Sequence, residues 1–185
     1  MCTVAGGKEP LEVSKLMRKL WSDHIGWTRC YVISAIADLP DKQATTERLL
    51  KNQEDIGNAI AKFYGADAGA ALTALLKDHI LIAADIVAAA KANDTAKFEE
   101  LNKKWHVNAD DISRFLNKAN PDWSFDEMRS MMYDHLALLT KEVQSRLKQD
   151  WVNDIAAADS SFEQANHMAD MFTAGIAKQF PDKVA

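Results

Sequence analysis

Glycine and proline are scarce in this chain, 7 and 4 among 185 residues. That excludes turn-rich β architectures and leaves room for long uninterrupted helices. Strand signals are as rare: no Asn-Gly or Asp-Gly hairpin turn occurs, and no segment alternates apolar and polar residues over a strand's length. Basic residues never cluster, and 22 Lys and Arg against 27 Asp and Glu leave a net charge of -5. Nucleic-acid binding, which needs a concentrated basic surface to release counterions, is therefore not expected. The longest weakly polar stretch, Ile80 to Ala90, is interrupted by Asp85 and falls short of the roughly 20 apolar residues that span a bilayer. No transmembrane segment is expected.

The signatures of several enzyme classes are missing as well. Gly65 to Gly69 carries no lysine and follows no strand, so it is not a phosphate loop. There is no Gly-x-Ser-x-Gly elbow and no cysteine in a catalytic setting, which leaves kinase and hydrolase chemistry without support. Glu-x-x-His ligand pairs, a His-Glu-x-x-His helix, a Cys-x-x-Cys-His haem attachment and an EF-hand loop are absent too. The two cysteines, Cys2 and Cys30, are read as free thiols in a reducing, cytoplasmic setting. Cys2 directly after Met1 leaves a second reading, a lipidated or exported form in which that cysteine follows a trimmed leader.

What is present is helical periodicity. With 48% hydrophobic and 26% charged residues, a chain of this length buries roughly 70% of its unfolded surface. The pattern predicts one domain over residues 10–185 after a flexible start at 1–9: an all-α, antiparallel up-and-down bundle of about six helices around a four-helix core. Helix one runs from Pro10 to Asp38, before Leu39-Pro40. Helix two follows Asp41 and ends at Gly65, with a break around Asn52. Helix three starts after Asp67 and reaches Ala92, and Asp94 caps a fourth that ends before Asn120-Pro121. Ser124 with Glu127, and Ser160 with Glu163, form capping-box patterns for the fifth and sixth. No internal repeat is evident at this level.

Three helices each place one histidine on an apolar stripe: Leu16, Leu20, His24, Trp27 and Tyr31; Leu72, Leu75, His79, Ile82 and Ile86; Met128, Met131, His135, Leu138 and Glu142. Glu142 stands two turns beyond His135, roughly 10 Å along the axis. One reading brings His24, His79, His135 and Glu142 together as a site for a transition metal, namely zinc, iron or copper, with Trp27 and Arg29 beside it to wall the pocket or hold a small anionic ligand. The other reading satisfies each ring locally, through a carbonyl, a water or the adjacent Asp23, Asp78 or Asp134, and leaves a non-catalytic structural or protein-interaction module. Helix two, with the weaker pattern, would then offer the partner-facing surface.

Arg29 lies within an apolar stretch and needs a partner, either Glu142, another acid or an anion. Asn108 shares a stripe with Trp105, Ile112 and Phe115, which suits a core hydrogen bond that fixes register. His106 and His167 fall on polar faces. Met128, Met131, Met132, Met168 and Met171 serve as core filler or as soft copper(I) donors. Trp21, Trp123 and Trp151 read as packing residues.

His24-Ile-Gly-Trp-Thr-Arg29, Leu75-Leu-Lys-Asp-His-Ile-Leu-Ile-Ala83, Asn108-Ala-Asp-Asp-Ile112, Asp134-His-Leu-Ala-Leu-Leu-Thr-Lys-Glu142 and Lys178-Gln-Phe-Pro-Asp-Lys183 resemble an uncharacterised family of small all-helical proteins from bacteria and archaea. The likeness runs from about Leu16 onward. Some members carry the names glycosyltransferase or acetylglutamate kinase, activities that ordinarily need an α/β nucleotide-binding architecture this sequence lacks. The resemblance thus implies a helical fold and a set of positions rather than an activity. It also implies a histidine near the position held here by Gln164.

Overall fold

The structure, a computed structural model, describes residues 9–183; the expectations for the chain's start, Cys2 included, fall outside them. Six helices follow in order: α1 (Glu9–Ile36), α2 (Lys42–Tyr64), α3 (Ala66–Lys91), α4 (Thr95–Ala119), α5 (Phe125–Leu147) and α6 (Trp151–Gln179), then a 3-10 turn at Pro181–Lys183. The chain is an all-α bundle, with no strand among the described residues. No described helix is long and apolar enough to cross a membrane.

Local chemistry sets most of the boundaries. Asp94 accepts the Lys97 N–H at 3.0 Å and caps α4 as expected. Gly65, the single residue between α2 and α3, takes φ 91°, and Asp67 falls in the first turn of α3 rather than at its cap. The largest departure concerns α6. It starts at Trp151 behind Asp150, whose carboxylate accepts the Asn153 N–H at 3.2 Å. Ser160 lies inside the helix and donates back to the Ala156 carbonyl, so the Ser160-Glu163 pattern marks no boundary. Nor does α2 break at Asn52.

Short connections force each helix beside the next, and α6 closes the ring against α1. Across the middle, α1, α3 and α5 also touch one another, with α2, α4 and α6 wedged between them on the outside. Three helices therefore line the axis, where the helix lengths suggested four.

This arrangement exposes an internal repeat that the sequence reading missed. The three hairpins α1–α2, α3–α4 and α5–α6 are equivalent. Each inner helix carries apolar-x-x-Asp-His, as Leu20 to His24, Leu75 to His79 and Met131 to His135. Each outer helix carries amide-x-x-x-apolar, as Asn52 to Ile56, Asn108 to Ile112 and Gln164 to Met168. Each inner helix also ends in the same left-handed turn, at Asp38, Asn93 and Gln149 with φ 52°, 54° and 59°. The next N–H in each case closes the turn on Ser34, Ala89 or Ser145.

Candidate functional site

Because the hairpins are equivalent, His24, His79 and His135 arrive at one level of the axis. All three are buried. The His24 and His135 ring centroids are 5.5 Å apart, and those of His79 and His135 6.1 Å. One turn away stand Trp21, Leu76 and Met132, and a further turn on Met17, Leu72 and Met128. With Ile56, Ile112 and Met168 from the outer helices they enclose a cavity of about 20 Å³ beneath the rings. On the opposite side of the rings lies a second cavity of about 10 Å³, edged by Thr28, Ala83 and Leu139. The larger has room for one water-sized guest.

Beside each imidazole an amide from the outer helix of the same hairpin bonds the inner helix's backbone, and this contact recurs three times. Asn52 Nδ2 donates to the Leu20 carbonyl at 3.0 Å, Asn108 Nδ2 to Leu75 at 3.0 Å and Gln164 Nε2 to Met131 at 2.8 Å. In every case the acceptor is the carbonyl four residues before the histidine. Each amide thereby gives an N–H to that carbonyl; the oxygen of Asn108 is left for its ring, whereas that of Asn52 accepts from Gln53 Nε2 at 3.1 Å. At His79 the result is explicit: Nδ1–H donates to Asn108 Oδ1 at 2.7 Å. Its Nε2 is then a lone pair, buried with no donor beside it. At His135 the corresponding bond is not closed: Gln164 favours the protonated ring, but His135 Nδ1 and Gln164 Oε1 are both buried without a hydrogen-bond partner. His24 faces two amides, Asn52 and Gln53, with Gln53 Nε2 3.3 Å from its Nδ1.

Burial decides the charge of these rings. It lowers His79 to about 3 and His135 to about 4, and His24 well below its ordinary value. Neighbouring imidazoles push the same way: His135 on His79, and both on His24. The amide hydrogen bonds oppose the shift and are outweighed. At neutral pH the layer is three uncharged bases in an apolar surround.

The other expected site residues lie elsewhere. Glu142 is buried, but its partner is Arg29, whose Nη1 donates to it at 2.8 Å. Asp154 joins them, accepting from Arg29 at 3.1 and 3.2 Å and from Arg146 at 2.8 Å. This cluster of two guanidinium groups and two carboxylates is balanced in charge, and it occupies the Arg29 donors that an anionic ligand would need. Burial raises Glu142, with Arg29 opposing. Trp27 is half-buried beneath the Arg48 guanidinium, 5.1 Å from its ring centre, and lines neither cavity. The aromatic walls are Trp21 and Phe172 in the larger cavity and Tyr31 and Trp105 in the smaller, with the Trp105 ring 5.2 Å from that of His79.

None of Asp23, Asp78 and Asp134 holds its neighbouring histidine: Asp23 pairs with Lys19 and Arg48, and Asp78 and Asp134 are exposed. His167 is exposed as expected, whereas His106 is half-buried, bonded to the Asn102 carbonyl and set edge-on to Tyr133. Trp151, expected in packing, is half exposed. Cys30 is a free, exposed thiol.

Asn52, Gln53 and Gln164 are the site residues that periodicity did not find. Their signal was an offset from each histidine, 29 residues to Gln53, Asn108 and Gln164, with Asn52 one residue short of it. Gln164 also lines an open groove between α5 and α6, beside Glu127, Asp134 and Asp170, so one side chain stands between His135 and the surface. In the arrangement as it stands, no three His, Cys, Asp or Glu side chains among the described residues are grouped closely enough to hold a metal ion. No family model, curated protein or solved structure matches the chain.

Proposed function

We propose that the protein binds one transition-metal ion, drawn from zinc, iron and copper, at the layer of His24, His79 and His135. The observation that carries this reading is the buried, donorless Nε2 of His79, whose opposite ring nitrogen is fixed by Asn108. Metal-ligating histidines characteristically donate the other ring N–H to a fixed acceptor, which sets the tautomer and aims the free lone pair. A buried lone pair left unmatched costs about 1–3 kcal/mol, and a cation on the axis would offset that cost. Leu75, His79 and Asn108, which make up the contact at His79, are among the residues that carry the family resemblance. The free thiol Cys30 fits a cytoplasmic setting, and the acidic net charge fits partners other than nucleic acid.

A second reading is favoured by the spacing of the rings, which is too open for three-fold ligation in this arrangement. Under it the histidines are core groups held by amides, and the protein is a structural or interaction module. The readings diverge in one experiment, elemental analysis of the purified protein together with melting curves with and without chelator. Metal binding predicts one equivalent of metal, a melting midpoint that falls when it is removed, and loss of both in His79→Ala. Because the rings must draw inward, the ion is expected to tighten the three inner helices. Metal-free protein whose melt ignores both chelator and added metal would leave the structural module.

A further inference from the structure

We infer that the ion this layer takes is copper(I), a monovalent soft cation held by imidazole nitrogen of the layer together with methionine sulfur. The inference rests on the metal reading above and narrows it by charge, softness and coordination number.

Charge comes first. No carboxylate or thiolate lines either cavity beside the rings, and the Arg29, Arg146, Glu142 and Asp154 cluster is neutral within itself. An incoming cation therefore meets no compensating charge. The desolvation cost of an ion grows with the square of its charge, so a monovalent ion bears about a quarter of what a divalent ion does in this apolar setting.

Softness points the same way. Met17, Met128, Met131, Met132 and Met168, five of the chain's seven methionines, line the cavity directly beneath the rings. Thioethers select copper(I) over zinc and iron(II), and imidazole suits all three. Thioether also adapts its reach through three rotatable bonds, which suits a donor that approaches only when the ion is present.

Coordination number completes the case. No three of the histidines, acids and thiols among the described residues lie close enough to share an ion, so thioether sulfur has to complete the donor set, which suits copper(I) over zinc. Zinc held by three histidines also keeps a water as its fourth ligand. Here that water would sit in a cavity walled by leucine, isoleucine, methionine and aromatic rings, with no polar group to receive its protons.

The test is an anaerobic titration of the full chain with copper(I), in competition with a chromophoric copper(I) chelator, alongside a zinc(II) titration. The wild type is compared with Met128→Leu/Met132→Leu/Met168→Leu, a set of near-isosteric swaps that cores tolerate, and with Met128→Leu alone should the triple variant not fold by circular dichroism. The expected result is one equivalent of copper(I), weakened by about tenfold or more in the methionine variants, with zinc(II) bound more weakly and indifferent to them. Zinc(II) bound as tightly as copper(I), or copper(I) affinity unmoved by loss of the methionines, would overturn this inference and leave the metal reading standing. Binding of neither ion, nor of iron(II), would overturn both.

Discussion

Within the buried charged cluster, the fate of Arg29 depends on Glu142 and Asp154 being present together. Glu142→Ala strands two half-buried guanidinium groups on the single carboxylate of Asp154. Breaking a buried pair in this way costs about 3–5 kcal/mol, far beyond the 0–1 kcal/mol of an exposed pair. Urea unfolding of Glu142→Ala is expected to show that loss, with Glu142→Gln less affected because one amide oxygen still accepts from Arg29. A loss below about 1 kcal/mol in the alanine variant would mean that the pair is solvated. At this scale the sequence was partly legible. Three histidines on apolar stripes, and an arginine needing an acid or an anion with Glu142 among the candidates, could be read from the sequence. Trp27 could not, because the inward stripe of α1 runs through Met17, Trp21, His24 and Thr28, one position round the helix from the stripe that hydropathy alone selects.

Helices were misread where polar residues face inward or turn chemistry is unusual. Asn52 and Gln53 are both 0% exposed, so their polarity weakened the apparent pattern of α2 and suggested a break. In fact they belong to its buried face. The buried face of α2 packs against both α1 and α3. The α2–α3 contact is close because Gly57 and Gly69 oppose each other; a Cβ at Gly57 would lie 2.7 Å from the Gly69 carbonyl oxygen. Gly57→Ala therefore requires the helices to part and is expected to lower the melting midpoint. The left-handed turns behave oppositely. Gln149 holds φ 59° without the freedom of glycine, and Gln149→Gly is expected to stabilise by roughly 1 kcal/mol. A gain at Gly57 or a loss at Gln149 would contradict this account of the hairpins.

For the whole molecule, the repeat explains why the site forms. Three hairpins with the same histidine, amide and terminal turn cannot close a ring without bringing their imidazoles to one level. Only a few positions per hairpin are shared, and the packing residues around them differ, as Trp21, Leu76 and Met132 do at one equivalent place. That is why the fold class was legible in composition and periodicity but the repeat was not. The closed ring also makes the molecule acid-sensitive. The folded histidines titrate below their unfolded value of about 6.5, so as pH falls the unfolded chain takes up protons first and stability declines. Each ring contributes up to about 1.4 kcal/mol per pH unit between about 6.5 and its folded value. Above that window the contribution is constant.

The most direct measurement is 15N–1H correlation spectroscopy of the imidazoles in the folded protein at pH 5. The account predicts that His24, His79 and His135 remain neutral there, that His79 carries its proton on Nδ1, and that its bare Nε2 is the nitrogen whose resonance moves when metal is added. A protonated ring at that pH, or a His79 proton on Nε2, would contradict it.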